Sequence, residues 1–302
     1  MTARPKSLAI PATLVIVGGV VYGSLFAANK IAIEVGFPFI AYTFWQSLFA
    51  GVALLIVALA RADAPKLTVP HLRHYLLLST LGIVIPVLVL TFIADKLPAG
   101  VVTLIIGLTP PLTYVFAFML RRESLRWLSV GGVVLGFTSI LLIVLPAQSL
   151  SVPGAALWMI VALLVPVSVA TNIIVISYLR PPKTSTVSLV CGLLLSAAAI
   201  TLVIMLVSGG VHGFWNVRGA GVWAMLWAAG GQIVAFMAGL EIARLAGPVY
   251  VSQMNYVIVG AGFLWALVLF NESLSAWVWA ALLVMLAGLG LTNLGAARAA
   301  RS

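Results

Sequence analysis

Charged residues are scarce in this 302-residue chain, where Lys, Arg, Asp and Glu make up 7% of the sequence, against about a quarter in ordinary soluble domains. Hydrophobic residues reach 63%, and the mean hydropathy is +1.23. Cysteine occurs once, at Cys191, which excludes a disulfide within the chain. This composition excludes an ordinary soluble domain and predicts an integral membrane protein.

Acidic side chains are the scarcest charged type, and all six lie at the ends of the predicted membrane spans or in the loops between them. A carboxylate at the bilayer centre usually marks a proton or ion pathway, so this pattern argues against a buried carboxylate relay. Coupling through Glu34 or Glu241, near a cavity mouth, stays open. No His or carboxylate cluster falls within a span, so we expect no metal, no cofactor and no enzyme active site. The six acidic residues are Glu34, Asp63, Asp95, Glu123, Glu241 and Glu272.

Uncharged runs divide the chain into segments that are each long enough to cross the roughly 30 Å hydrocarbon layer as a helix. Period-two alternation is missing, which argues against barrel strands. The run 127–179 is too long for one crossing and contains a turn-rich stretch at 146–154, so we divide it there. The sequence therefore predicts an all-α integral membrane protein with ten transmembrane helices, the first of which is retained rather than cleaved as a signal peptide.

Basic residues alternate along the chain with the predicted spans. With ten spans, thirteen of the sixteen Lys and Arg residues fall on one side of the membrane, and Lys30, Lys96 and Arg218 fall on the other. Cytoplasmic loops carry the excess of positive charge, so both termini are expected in the cytoplasm. The net charge of +10 is explained by this orientation and does not indicate a nucleic-acid partner.

The two halves of the chain resemble each other. The sequence "RRESL" at 121–125 aligns with "FNESL" at 270–274, and the neighbouring span boundaries align with them. We therefore expect two five-helix repeats, 1–148 and 149–302, within one integrated membrane domain. Because five is an odd number, the second repeat enters the membrane in the opposite sense. Inverted repeats are typical of secondary transporters that alternate access to a site near the midplane.

Two consecutive prolines, Pro110 and Pro111, lie within the uncharged fourth span. Proline removes a backbone N–H and clashes with the preceding turn, so this pair predicts an interrupted helix. In the repeat alignment the pair overlies Val259 and Gly260, where we expect a matching interruption of the ninth span. Paired interruptions of this kind are pointers to a transporter binding site.

Neutral polar side chains are frequent within the spans, and amides are costly to leave unpaired against lipid. For any one of them, a hydrogen bond between helices is the alternative to a substrate contact. We favour a substrate contact for the cluster Gln253, Asn255 and Tyr256. The candidate substrate-binding residues are Tyr22, Asn29, Thr103, Thr109, Pro110, Tyr114, Asn172, Gln232, Gln253, Asn255 and Tyr256.

Three segments resemble one known family. The first-span sequence "VVYGSLFAANKIAIE" is similar to the opening of EamA-type carriers of the drug/metabolite transporter superfamily. The segments "TPPLTYVFAFMLRRESLRWLSVGGVVLGFTSILL" and "FLWALVLFNESLSAWVWAALLVMLAGLGL" resemble the two copies of that family's pattern. The resemblance implies a ten-helix bundle in a bacterial inner membrane, with a central cavity lined by the first, third, fourth, sixth, eighth and ninth helices. It also implies transport of small metabolites, often efflux of amino-acid-like or drug-like solutes.

The chain departs from the family pattern at three positions. Tyr22 stands where Trp is usual, Gln46 where many members carry Arg, and Val259 where proline is common. Losing a fixed positive charge near the cavity argues against a strongly anionic substrate. We therefore expect an exporter of a zwitterionic or neutral solute, with a channel-like pore or a membrane-embedded enzyme as the alternatives. A monomer is expected, and the "GVVLG" motif at 132–136 leaves a dimer open although packing within one chain is favoured.

Overall fold

The computed structural model describes residues 9–144, 154–179, 184–209, 211–246, 248–272 and 274–299. Within these ranges nine helices are long and apolar enough to cross a membrane, and a tenth apolar helix, Trp127–Ile143, is shorter. The chain is thus a multi-pass helical membrane protein. Of the turn predicted at 146–154, only Gly154 belongs to the described residues, and its φ of 74° is one that glycine adopts without strain.

The first half contains five helical spans, two of which are interrupted. The first, second and fifth spans are single helices, while a π turn divides the third and a short non-helical step divides the fourth. In chain order these elements are α1 (Ala9–Glu34), α2 (Phe39–Ala60), α3 (Val69–Ser79), the π turn (Thr80–Val84), α4 (Ile85–Phe92), α5 (Ala99–Ile106), α6 (Thr109–Met119) and α7 (Trp127–Val144).

The second half repeats this pattern of long apolar helices. Its first span is divided at Leu163, and a 3-10 turn, Phe214–Asn216, lies in the loop that follows its second span. The elements are α8 (Ala155–Ala162), α9 (Leu164–Leu179), α10 (Thr186–Val207), α11 (Gly219–Ala246), α12 (Pro248–Phe270) and α13 (Ala276–Ala299).

The predicted interruption of the fourth span is present at Gly107 and Leu108, between α5 and α6. Pro110 and Pro111 lie in the first turn of α6, where backbone N–H groups have no helical partner, so the missing donors cost little there. The Thr109 hydroxyl donates to the Ile106 carbonyl at 2.8 Å, which satisfies an acceptor at the end of α5.

The matching interruption expected in the ninth span was wrong, because α12 runs without a break from Pro248 to Phe270. Glycine keeps its backbone N–H, so Gly260 can continue the hydrogen-bond ladder that a proline would interrupt. Gly260 instead faces open space, since a Cβ built there would meet no atom within 4 Å.

The π turn in the third span was not predicted. In a regular α-helix the Pro86 nitrogen would bond to the Gly82 carbonyl, and proline has no N–H to give. The Ser168 hydroxyl donates to the Leu81 carbonyl at 2.7 Å, which ties the turn to α9. A Cβ at Gly82 would lie 2.6 Å from Asn172 Nδ2, so the absence of a side chain at Gly82 leaves room for the Asn172 amide against the turn.

Helices from the two halves pack against each other throughout the bundle. The α1 helix packs against α11 and α12, α2 against α10, and α7 against α13, while α9 packs against the third span and α6. The α7 and α13 helices approach closely because Gly132 lies against Gly288: a Cβ on Gly132 would lie 2.5 Å from the Gly288 carbonyl oxygen. The GxxxG motif therefore packs within this one chain, as expected.

Candidate functional site

A cavity of about 410 Å³, counted with its open mouth, lies between α1, α2, the third span and α11. It lies beside the π turn and Pro86, which make the third span irregular. In a membrane protein an irregular backbone is tolerated where it is buried in protein or lines a cavity. The lining residues share a neutral character, and their side chains are either apolar or uncharged polar. They are Tyr22, Leu25, Phe26, Asn29, Gln46, Gly82, Pro86, Val87, Leu90, Gln232 and Phe236.

Helix α1 contributes Tyr22, Phe26 and Asn29 to this cavity. The spacing of four and then three residues places them on one face of the helix. The Tyr42 hydroxyl, on the buried side of α2, donates to Asn29 Oδ1 at 2.9 Å. Because this bond occupies the amide oxygen, the Asn29 side chain presents its N–H donors to the surroundings of the cavity.

Two carboxamides in the cavity wall each have one buried atom without a hydrogen-bond partner among the described residues. Gln46 is 2% exposed and its Nε2 has no hydrogen-bond partner among the described residues; Gln232 is 4% exposed and the same is true of its Oε1. A buried polar group without a partner costs about 1–3 kcal/mol, and each such group in a folded protein calls for an explanation. Side chains that border a cavity can recover this free energy when a ligand supplies the missing partner.

A second cavity of about 230 Å³ adjoins the first, and the two share Phe26, Asn29 and Leu90. Its wall includes Lys30, whose Nζ lies 2.8 Å from Glu272 Oε1. The Glu272 carboxylate also accepts from the backbone N–H groups of Ala99 at 2.9 Å and Gly100 at 3.3 Å, at the start of α5. This closing ion pair, Lys30–Glu272, thereby joins the ends of α1, α12 and α5 at the face opposite the beginning of α1.

Burial makes the closing ion pair stronger than a surface contact, because the Lys30 and Glu272 side chains are only 15% and 9% exposed. The Lys30 ammonium also lies 4.5 Å from the centre of the Phe270 ring. The helix N-terminus of α5 carries a partial positive charge and favours an anion, so Glu272 is stabilised from two directions. Sequence reasoning placed both residues at span ends and did not connect them.

Several predicted site residues lie outside the cavity wall. Thr103 is fully buried and donates to the Ala99 carbonyl, and it faces Gly262 of α12. Thr109 and Pro110 form the first turn of α6. Asn172 lies behind the π turn against Gly82, with its Oδ1 buried and unpartnered among the described residues.

Tyr114 contacts the loop that precedes α7 rather than the cavity. Its hydroxyl donates to the Ser124 carbonyl at 3.1 Å and accepts from the Arg126 backbone N–H at 2.9 Å. Both partners belong to the segment 120–126 that connects α6 with α7. This arrangement supports a role for Tyr114 in shaping that loop.

The cluster Gln253, Asn255 and Tyr256 lies on α12, apart from the cavity wall. Gln253 is exposed, and the other two side chains are half-buried. The Tyr256 hydroxyl is hydrogen-bonded to the Asn293 side chain, which ties α12 to α13. The structure thus brings Tyr22, Asn29 and Gln232 together and places this cluster elsewhere.

Gln46 and Phe236 were missing from the predicted set although both line the cavity. A sequence signal for Gln46 exists, since it is an amide in an uncharged span one helical turn after Tyr42, and the two side chains share a face of α2. Phe236 follows Gln232 at the same spacing on α11. The Gly82 and Pro86 pair, again four residues apart, is the corresponding signal for the irregular third span.

Comparison with known proteins agrees with this architecture. Residues 9–145 match the EamA-like transporter family. A segment of 133 residues is 29% identical to the S-adenosylmethionine/S-adenosylhomocysteine transporter of Chlamydia trachomatis serovar L2, and it covers 44% of this chain and 40% of that protein. A solved crystal structure superposes with a TM-score of 0.69 at 17% identity, covering 98% of this chain and 100% of the other, which supports the fold. Over residues 9–145, this chain is thus similar to the EamA-like transporter family.

Proposed function

We infer that this chain is a secondary transporter that moves a small zwitterionic or neutral metabolite across a bacterial inner membrane by alternating access. The observation that carries this conclusion is the cavity among the spans, whose wall holds two buried carboxamide atoms, Gln46 Nε2 and Gln232 Oε1, that have no partner among the described residues. Small-molecule sites are concave and mostly apolar, with a few polar groups that fix the ligand's orientation. The family match over the first half supports the same function.

Two inverted five-helix repeats, 1–148 and 149–302, account for the way in which the spans pack. The first span packs against the eighth and ninth, and the sixth packs against the third and fourth. In the repeat, the first span corresponds to the sixth, the third to the eighth and the fourth to the ninth. Exchanging each span for its counterpart converts the first set of contacts into the second. The second span packs against the seventh and the fifth against the tenth, which this exchange leaves unchanged. A pseudo-twofold axis would produce this pattern.

Alternating access requires that the cavity be closed toward one side of the membrane at a time. The closing ion pair, Lys30–Glu272, supplies such a closure at one end of the bundle. With both termini in the cytoplasm, as the distribution of basic residues favours, this end faces away from the cytoplasm. The conformation described here then corresponds to a transporter closed on its outer side.

Among the residues that the structure describes, the wall of the larger cavity carries no charged side chain, which favours a neutral or zwitterionic solute over a strongly charged one. S-adenosylmethionine and S-adenosylhomocysteine are the first solutes to test, because a partial relative is named as their transporter. Amino-acid-like and drug-like solutes come next. We propose export as the direction and a monomer as the working unit.

Counterflow in proteoliposomes tests the proposal. Vesicles that contain the purified chain are loaded with unlabelled S-adenosylhomocysteine or a neutral amino acid and diluted into a trace of the same labelled solute. We expect a transient accumulation of label above equilibrium, at least about threefold over protein-free vesicles, because a carrier exchanges one molecule for another. The measurement is the label retained on a filter against time.

A channel-like pore gives the contrasting result, since it only equilibrates the label and does not saturate. Equilibration without overshoot for a solute that demonstrably crosses would replace the carrier with a pore. No flux above that of protein-free vesicles for S-adenosyl compounds, amino acids, nucleosides and drug-like cations would contradict transport altogether.

The α12 cluster Gln253, Asn255 and Tyr256 remains a predicted substrate contact, and Asn255→Ala tests it. If the cluster contacts the solute, the variant lowers the counterflow rate severalfold while the amount of folded protein in the membrane stays unchanged. Asn216→Ala, in the exposed 3-10 turn, is the matched control and leaves the rate unaffected. Wild-type kinetics for Asn255→Ala would remove the cluster from the site.

A further inference from the structure

The cavity wall presents hydrogen-bonding groups of one restricted type. Gln46 on α2 and Gln232 on α11 each hold a buried carboxamide atom without a partner among the described residues. A carboxamide carries one acceptor oxygen and one NH₂ donor group, which exchange places when the amide is turned over. The open atom of each glutamine is thus a donor or an acceptor according to how its amide is turned, and the two amides together can bind a ligand that carries both kinds of group.

The described lining residues of the larger cavity are uncharged. Within the described ranges none of its lining residues is ionisable at neutral pH, and Lys30, which lines the adjoining cavity, is paired with Glu272. A charged group placed beside Gln46 and Gln232 would lose its hydration without gaining a counter-charge. The part of the ligand that contacts these two amides is therefore neutral.

Aromatic rings complete the wall. Tyr22 and Phe26 pack edge to face on α1, with ring centres 5.8 Å apart, and Phe236 lies one helical turn after Gln232 on α11. Aromatic faces stack well on flat heterocycles, which is how proteins hold bases without relying on charge. These rings border the same space that Gln46 and Gln232 line.

We propose that Gln46 and Gln232 recognise a neutral, planar heterocycle of the nucleobase type, through a ring edge that carries adjacent hydrogen-bond donors and acceptors. Glutamine pairs with adenine in this way, through the N6 donor and the neighbouring ring-nitrogen acceptor. This inference rests on the proposed function, since it names the group by which the transported solute is recognised. It also explains why one atom of each amide has no partner among the described residues in the wall of an apolar bundle.

Adenine and purine form the matched pair of probes, because purine has the same ring system without the exocyclic N–H donor. Binding is measured by calorimetry on the full-length chain in detergent. We expect adenine to bind about tenfold more tightly than purine. Gln46→Met and Gln232→Met each lower the adenine affinity about tenfold and the purine affinity by less, because purine keeps the ring-nitrogen acceptor but lacks the exocyclic donor. Thr138→Val is the control, because its hydroxyl bonds only within α7, and it alters neither affinity.

Thermal unfolding of the ligand-free variants separates recognition from a structural role. An amide without a partner weakens the empty protein, so Gln46→Met and Gln232→Met should raise the apparent Tm by roughly 2 °C. An amide that held the helices together would lower the Tm when replaced. Should one methionine variant fail to fold, the other variant and the adenine–purine contrast in the unmodified chain still decide the matter.

Equal affinity for adenine and purine, binding of neither, or variants that keep full adenine affinity would each overturn the assignment. The proposed function is judged separately by counterflow. A chain that exchanges amino acids but does not bind adenine remains a transporter without nucleobase recognition. A chain that binds adenine as predicted but shows no counterflow for any solute keeps the binding site and loses the transport function.

Discussion

Replacing Lys30 with methionine is expected to open the closed end of the cavity and to stall transport. Removing one partner of a largely buried ion pair costs about 3–5 kcal/mol when the other charge has to stay buried. An open conformation has no such penalty, because Glu272 is then hydrated. Even at the lower end of this range, a shift of about 3 kcal/mol changes the balance between closed and open states more than a hundredfold.

Thiol labelling measures this opening directly. Val102, which lines the cavity beside Lys30, is replaced with cysteine in a Cys191→Ser background and treated with a membrane-impermeant maleimide from the outer face. We expect labelling at least about tenfold faster in Lys30→Met than in the chain with the intact pair. Counterflow should fall by a similar factor, because a carrier that stays open on one side does not complete its cycle.

Lys96→Met provides the matched control at the same end of the bundle. Lys96 also forms an ion pair, with Asp95 at 2.8 Å, but its side chain is 26% exposed and that of its partner 48% exposed. Exposed pairs contribute about 0–1 kcal/mol, so this variant should label and transport as the unmodified chain does. Wild-type labelling in Lys30→Met as well would show that the ion pair does not close the cavity.

The double variant Lys30→Glu with Glu272→Lys distinguishes a simple charge pair from a lock on three helices. Exchanging the charges restores the attraction between α1 and α12, but it places a cation at the positively polarised start of α5. The N–H groups of Ala99 and Gly100 also lose the acceptor that Glu272 supplied. We expect the exchange to restore less than half of the lost transport, whereas full recovery would mean that α5 takes no part in closure.

The helices were predictable from the sequence because a bilayer leaves few alternatives for the backbone. Every N–H and C=O group in the hydrocarbon layer needs a partner, so a long uncharged run has to be helical. For the same reason the break near Pro110 and Pro111 followed from the missing proline donors. Pro86 carried an equivalent signal in the third span, because it has no N–H to donate to the Gly82 carbonyl four residues earlier.

The candidate site was less predictable because it depends on contacts between distant segments. Lys30 and Glu272 each look like an ordinary charge at the end of a span, and only the packing of α1 against α12 brings them within 2.8 Å. Gln46 carried only a local signal, its position one helical turn after Tyr42 on α2, and that signal does not show that the two side chains face the cavity. The wrong expectation for α12 has a different cause. The alignment of the two halves placed Gly260 opposite a proline, but glycine keeps its backbone N–H, so α12 continues through it.

Alanine at Gly132 is expected to destabilise the protein, although alanine is the better helix former. A Cβ there would lie 2.5 Å from the Gly288 carbonyl oxygen and 2.7 Å from the Thr292 backbone nitrogen, so α7 and α13 have to move apart. Overpacking of this kind costs about 1–3 kcal/mol, which exceeds the gain in helix propensity of about 1 kcal/mol. We expect the apparent Tm in detergent to fall by about 4 °C or more, because each kcal/mol corresponds to roughly 2–4 °C in chains of comparable size.

Gly131→Ala, one residue earlier on the same helix, should change the Tm in the opposite direction. A Cβ at Gly131 would meet only the flexible end of Leu291, at 3.4 Å, so the helix-propensity gain is kept. The neighbouring pair thus gives opposite signs for the same chemical change, and the difference isolates the contact between the two halves. If Gly132→Ala melts at or above the wild-type temperature, α7 and α13 can separate there without cost, and the close approach of Gly132 to Gly288 does not hold the halves of the bundle together.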